Sequence, residues 1–169
     1  MFQVRLNTST LKEMMESGSL TVMVKPQKNN QSGETNIFFS PSIGLELFNP
    51  KVTFVDLKTV VLTFNKSTDI NLLIMLRYIN KTLLSFLKPN DKQKVYDIFS
   101  ESDTTFSLRC HLPSFKGKFS VKYFEDNEEK RFKYPKLNCT IPFVLIHIKN
   151  IWCSNNRYGF NLVASEIRL

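Results

Sequence analysis

Along most of this chain, apolar and polar residues alternate with a period of two, which is the pattern of half-buried strands. Before residue 66 it appears in "SLTVMVKP", "IFF", "IGLELF", "VTFVD" and "TVVLTF". After residue 94 it returns in "VYDIFS", "TTFSLRCHL", "FKGKFSVKYF", "KRFKY", "IPFVLIHIKNIWC" and "YGFNLVASEIRL". One stretch follows a helical period instead. Leu72, Leu73, Leu76, Ile79, Leu83 and Leu87 recur at three- and four-residue spacing, Thr68 or Asp69 offers a cap, and Pro89 stops the run. At the N-terminus, Phe2–Asn7 reads as a strand, and "STLKEMMESG" reads as a short helix ending at Gly18. "QKNNQSGETN" has no period and reads as a mobile loop. Asn155–Asn156 reads as a hairpin turn, because Asn tolerates positive φ. Strands, one main helix at about 69–88 and more strands predict a mainly β protein. The expected form is an OB-like antiparallel barrel with extra strands, and the whole of 1–169 is expected to be a single domain.

The stretch "SFKGKFSVKYFEDNEEKRFKYPK" concentrates lysines and aromatics. Read as one strand, its first arm turns Phe115, Phe119, Val121 and Tyr123 to the core and Lys116, Lys118 and Lys122 outward, with Phe124 continuing that outer face. The return arm adds Lys130, Arg131, Phe132, Lys133 and Tyr134. Cations along a groove neutralise phosphates, and aromatic faces stack on unpaired bases, so Lys116, Lys118, Lys122, Phe124 and the five residues of the return arm are the candidate binding set. Solvated lysines on an edge strand, which block aggregation, are the competing reading. The acidic tip "EDNEE" would repel phosphate, so it is expected to point away from the strand or to pair with Lys130 and Arg131.

Charge supports a polyanionic partner. The chain has a net charge of +8. Residues 1–103 contribute +2 (12 basic, 10 acidic), and residues 104–169 contribute +6 (11 basic, 5 acidic). A field of one sign steers polyanions and releases counterions when they bind. Other chemistry is sparse. The five glycines form no phosphate-binding loop, so a nucleotide-hydrolysing or dinucleotide site is not expected. Cys110, Cys139 and Cys153 lack metal-ligand spacing, and Cys110 and His111 fall on opposite faces of a strand. His147 lies in an apolar strand and reads as an interior histidine. No catalytic residue, metal or cofactor is expected, and the chain does not read as an enzyme. Nor does it read as a membrane protein, since no apolar run approaches the roughly 20 residues needed to span a bilayer. The N-terminus lacks the basic and apolar regions of a signal peptide. Reduced thiols suit the cytoplasm, with the nucleus left open.

The last 27 residues, "FVLIHIKNIWCSNNRYGFNLVASEIRL", form a long apolar strand, a polar turn and a strand that runs to the end. This stretch resembles the closing hairpin of OB-fold single-stranded-DNA-binding proteins from DNA viruses, phages and cytoplasmic genetic elements. The resemblance implies a protein that coats single strands in replication without sequence specificity. Single-stranded DNA is then the partner, RNA is left open, and further copies of the chain and replication proteins are candidates. It also places Lys149, Trp152, Arg157 and Tyr158 at or near the binding face. The competing role for Trp152 and Tyr158 is closing the barrel core. Unlike many such proteins, the chain ends in "SEIRL" rather than an acidic tail. The alternative function is a structural or adaptor β protein, such as a viral coat or assembly component with a basic face.

Overall fold

The computed structural model describes residues 3–5, 21–26, 35–40, 42–56, 58–87, 93–132, 139–154 and 156–169. Within them lie β1 (Gln3–Arg5), β2 (Thr21–Pro26), β3 (Thr35–Ser40), β4 (Ser42–Phe48), β5 (Lys51–Asp56) and β6 (Thr59–Asn65). Helix α1 (Ile70–Leu87) follows, then β7 (Lys94–Val95), β8 (Ser100–Glu101) and β9 (Thr105–His111). Next come β10 (Ser114–Phe115), β11 (Lys118–Phe119), β12 (Lys122–Glu125) and β13 (Glu128–Lys130). The chain ends in β14 (Cys139–Thr140), β15 (Phe143–Ser154) and β16 (Arg157–Arg168). The expected helix in "STLKEMMESG" and the loop "QKNNQSGETN" lie outside the described residues.

Among the described residues, fourteen strands share one sheet, and β10 and β11 form a separate hairpin. The sheet is mixed, which corrects the antiparallel expectation. β16 explains why. It is 12 residues long and pairs antiparallel with β15 along one side. Its other side outruns any single neighbour and takes three short strands in parallel, β7 at Arg157–Tyr158, β9 at Leu162–Val163 and β12 at Glu166–Arg168. The predicted strand "VYDIFS" is broken, since residues 96–99 pair with nothing as strand between β7 and β8.

Two bent strands run side by side through a corner. β4 pairs with β15 from Ile43↔Ile148 to Phe48↔Phe143. Past the bend, Asn49 N–H donates to Pro142 O (3.2 Å), Ile141 N–H donates to Pro50 O (3.0 Å), and β5 pairs with β14. Asn49 takes φ 53°, where Asn is tolerated, and Pro50 and Pro142 supply no ladder donors, so the chain turns here.

Strand alternation sorts the faces as the sequence predicts. Val60, Leu62 and Phe64 of β6 are buried, as are Phe106, Leu108 and Cys110 of β9. Ile43, Leu45, Leu47, Val144, Ile146, Ile148, Leu162 and Ala164 extend the same core, and Leu73, Leu76 and Ile79 of α1 join it. The backbone of Asp69 caps α1 by accepting the Leu73 N–H (3.1 Å). Its carboxylate reaches back to Asn65 N–H (3.0 Å), which ties the helix to the end of β6.

Candidate nucleic-acid interface

The lysine-rich stretch does not form the strand its alternation predicts. Lys116 (φ 50°) and Gly117 (φ 75°) make a tight two-residue turn, and Ser114↔Phe119 and Phe115↔Lys118 pair across it. The chain then re-enters the main sheet as β12. The three lysines therefore share no strand face: Lys116 sits in the turn, Lys118 is on β11, and Lys122 is on β12 in register with Glu166. Phe115, assigned by alternation to the core, is 72% exposed, whereas Phe119 packs on the core and Val121 and Tyr123 are buried in it.

The acidic tip is the turn of the β12–β13 hairpin. Asp126 and Asn127 both take positive φ, and Glu125 pairs with Glu128. Lys130 Nζ lies 3.9 Å from both Glu125 and Glu128, so the tip partly neutralises this candidate phosphate ligand. Arg131 is exposed just after β13. Phe132 is half-buried against the core, with its ring 5.2 Å from Phe119 and 5.7 Å from Tyr123, and so does not face solvent as a stacking surface. Phe124 is half-buried, and Arg168 lies over its ring at 4.9 Å and over Phe143 at 5.4 Å. A guanidinium already covers one face of the Phe124 ring. Lys133 and Tyr134 fall outside the described residues.

A second cluster forms where β15 and β16 approach their connecting turn. Trp152 stands opposite Gly159, and its indole covers that glycine closely. The indole is half-buried yet absent from the core cluster, whereas Tyr158 on the opposite face packs against the core. Burial first, then a hydrogen bond with Cys153, pushes the Tyr158 hydroxyl pKa up. The structure thus separates two residues that the sequence treated alike.

Beside Trp152 is Tyr96, 39% exposed, with ring centroids 6.2 Å apart and planes inclined by 36°. Nothing in its own segment marks Tyr96, because a distant strand holds it. Lys94 N–H donates to Asn156 O and Tyr96 N–H to Tyr158 O, each at 2.9 Å, and so lay the segment along the edge of β16. From the other side, Asn80 of α1 donates to Asp97 (2.6 Å) and accepts from Ile98 N–H (3.1 Å). Arg77 forms a two-pronged bond to Glu101, which Lys66 also meets at 2.9 Å.

Two cations lie beside the rings, and a third is exposed farther along β15. Lys94 lies 5.0 Å from the centre of the Tyr96 ring, and register places it beside Arg157, which is exposed. Lys149 is the extra residue of the bulge between Ile148 and Asn150 and is exposed. Register carries this outward face across β16 to β9, where Val163 is level with His111, and on to β6 and β5. Arg109, His111 and Lys51 are exposed there. Lys94, Tyr96, Arg109 and Lys51 escaped the sequence reading because they are far apart along the chain.

Neither histidine belongs to a metal-holding group among the described residues. Burial lowers the pKa of His147, and no cluster of His, Cys, Asp and Glu among the described residues could hold a metal ion. No helix among them is long and apolar enough to cross a membrane. Compared with protein-family models and with curated proteins, the sequence matches nothing.

Proposed function

We propose that this protein binds single-stranded nucleic acid, DNA in the first instance, without reading its sequence. The observation that carries the proposal is the Trp152–Tyr96 pair with Lys94 and Arg157 beside it, Lys149 being exposed farther along β15. Bases of any identity stack on such rings, each contributing about 1–3 kcal/mol, while nearby cations neutralise the phosphates. We read the sheet as an OB-type barrel whose members, in order, are β4–β5, β6, β9, β16 and β14–β15. The ladder through Asn49, Pro142, Ile141 and Pro50, which returns the path to its start, supports this reading. OB folds bind oligonucleotides on the face of their second and third strands and on neighbouring loops. That face corresponds here to β6 and β9, with Arg109 and His111 outward, and the β15–β16 turn adjoins Trp152. The role follows as coating of exposed single strands during replication.

Fluorescence anisotropy with labelled oligo-dT and with a blunt duplex, at two salt concentrations, tests the proposal. The single strand is expected to bind more tightly and to weaken steeply with salt. Replacing Lys94 and Arg157 by Glu should flatten the salt dependence, by roughly 0.7 in log–log slope for each phosphate no longer neutralised. Absence of oligo-dT binding at low salt, or equal affinity for the duplex, would overturn the reading.

An assembly role draws on a different observation. Ile70, Ile74 and Tyr78, one helical turn apart on α1, are 44%, 54% and 36% exposed. A coat or adaptor protein would use such a stripe and would form a defined oligomer with no affinity for free single strands.

A further inference from the structure

The β10–β11 hairpin contains a grouping that the platform at Trp152 does not use. We propose that it is a wedge. Its tip places Phe115 against the terminal base pair where a single strand leaves a duplex, so the protein prefers such junctions to plain single strands. The inference rests on the single-strand-binding reading above and adds to it a preferred substrate.

Among the described residues, the hairpin pairs with no strand of the main sheet. A lone exposed ring is ordinary on a protein surface; its surroundings set Phe115 apart. Phe115 and Lys118 are directly opposite across the hairpin and share a face, and Lys116 Nζ lies 5.4 Å from the centre of the ring. One ammonium group therefore lies against the ring and a second lysine is its cross-strand neighbour, and neither lysine forms an ion pair among the described residues. A ring with cations beside it fits an unstacked base step and its flanking phosphates.

The root of the hairpin is pinned. Ser120 donates to Pro113 O through its N–H (2.8 Å) and its hydroxyl (3.1 Å), and Phe119 packs beneath against Phe132. The tip is open, since nothing lies within 4 Å of a Cβ built at Gly117. A fixed base with an unobstructed tip suits an element pressed between bases better than a loose phosphate ligand. A lipid surface is the weaker match, because Ser114, Lys116, Gly117 and Lys118 surround Phe115 with no second apolar side chain. The hairpin leaves β9 just past His111, level with Val163, and Gly159 beneath Trp152 is four residues away along β16. That is about 13 Å at roughly 3.3 Å per residue, a span compatible with the ~4–16 nucleotides an OB fold covers.

The test compares the parent, Phe115→Ala and Phe115→Trp on oligo-dT and on a duplex with a single-stranded tail carrying 2-aminopurine at the last base pair. The parent should bind the tailed duplex more tightly than oligo-dT and raise 2-aminopurine fluorescence. Phe115→Ala should lose about 5- to 150-fold in affinity for the tailed duplex and abolish that rise. Its oligo-dT affinity and its quenching of Trp152 should stay within about twofold of the parent. Phe115→Trp should restore both junction signals. The wedge is refuted if Phe115→Ala matches the parent on the tailed duplex, or if it loses equally on both substrates. Phe115-dependent sedimentation with phosphatidylserine vesicles, with no junction signal, also refutes it. In each case, intact quenching of Trp152 by oligo-dT leaves the single-strand reading standing. If the parent shows neither quenching nor oligo-dT binding, that reading fails and the wedge fails with it.

Discussion

Gly159 is where stacking can be disturbed with little disturbance of the fold. The indole of Trp152 lies on this glycine, so a Cβ built at position 159 would be 2.4 Å from Cζ2, 2.6 Å from Cε2 and 2.9 Å from Nε1. Non-bonded carbons do not approach so closely, and three ring atoms are affected together, so Gly159→Ala must lift or swing the ring. Two effects on stability oppose each other. Overpacking costs about 1–3 kcal/mol, and replacing a strand glycine by alanine returns roughly 0.5–1 kcal/mol. The net destabilisation is about 0–2.5 kcal/mol, which a β-rich domain of this size tolerates. Binding has no such offset. If the indole no longer lies beside Tyr96, one stacked base is lost, worth about 1–3 kcal/mol or about 5- to 150-fold in affinity. Trp152 is the sole tryptophan of the chain, so intrinsic fluorescence reports the ring directly. The variant should emit to the red of the parent when free, show little quenching by oligo-dT, and bind it more weakly by anisotropy. Gly159→Ala with parental emission, quenching and affinity would refute both the close placement of the ring and its role in stacking.

Three further outcomes follow from the same structure. Lys66 first and Arg77 second hold the Glu101 carboxyl below the ordinary glutamate value of 4.5. The stability this contributes is fully present above that value and is lost as pH falls through the lowered one. Thermal melts should thus show Glu101→Gln trailing the parent at neutral pH and the gap closing in acid; a gap independent of pH would rule the ion pairs out as its source. The Cys110 thiol is fully buried, and desolvation pushes its pKa well up, so thiol titration should modify it only after denaturant is added. Leu76 of α1 is fully buried, so Leu76→Ala should lower unfolding stability by about 2–5 kcal/mol in urea melts; a smaller change would mean the helix is not seated on the core.

Much of the fold is legible in local pattern. The stripe Leu73, Leu76 and Ile79 predicts both α1 and its buried face, and alternation in β6 and β9 predicts which side chains enter the core. These readings work because periods of 3.6 and 2 arise within a segment and need no knowledge of its neighbours. Of the predicted Asn155–Asn156 turn, Asn156 lies between β15 and β16 with φ 59°, and Asn155 is outside the described residues.

The lysine-rich stretch shows where local pattern stops. Alternation from Phe115 to Tyr123 is unbroken in the sequence, but the Lys116–Gly117 turn breaks the strand, and Gly117 was the available signal. The turn alone releases Phe115 from the core, sets Lys116 over its ring and makes Lys118 its cross-strand neighbour. Tyr96 carried no signal, because only the main-chain bonds of β16 lay its segment next to Trp152, more than fifty residues away. Parallel neighbours follow the same logic, since β7, β9 and β12 are placed by how far β16 outruns each of them. What the residues determined unaided was which side chains avoid water, a property each carries in its own segment. Which cations and rings share a surface was decided by the tertiary structure, because a binding face is assembled from strand register, and register relates residues that the chain itself keeps apart.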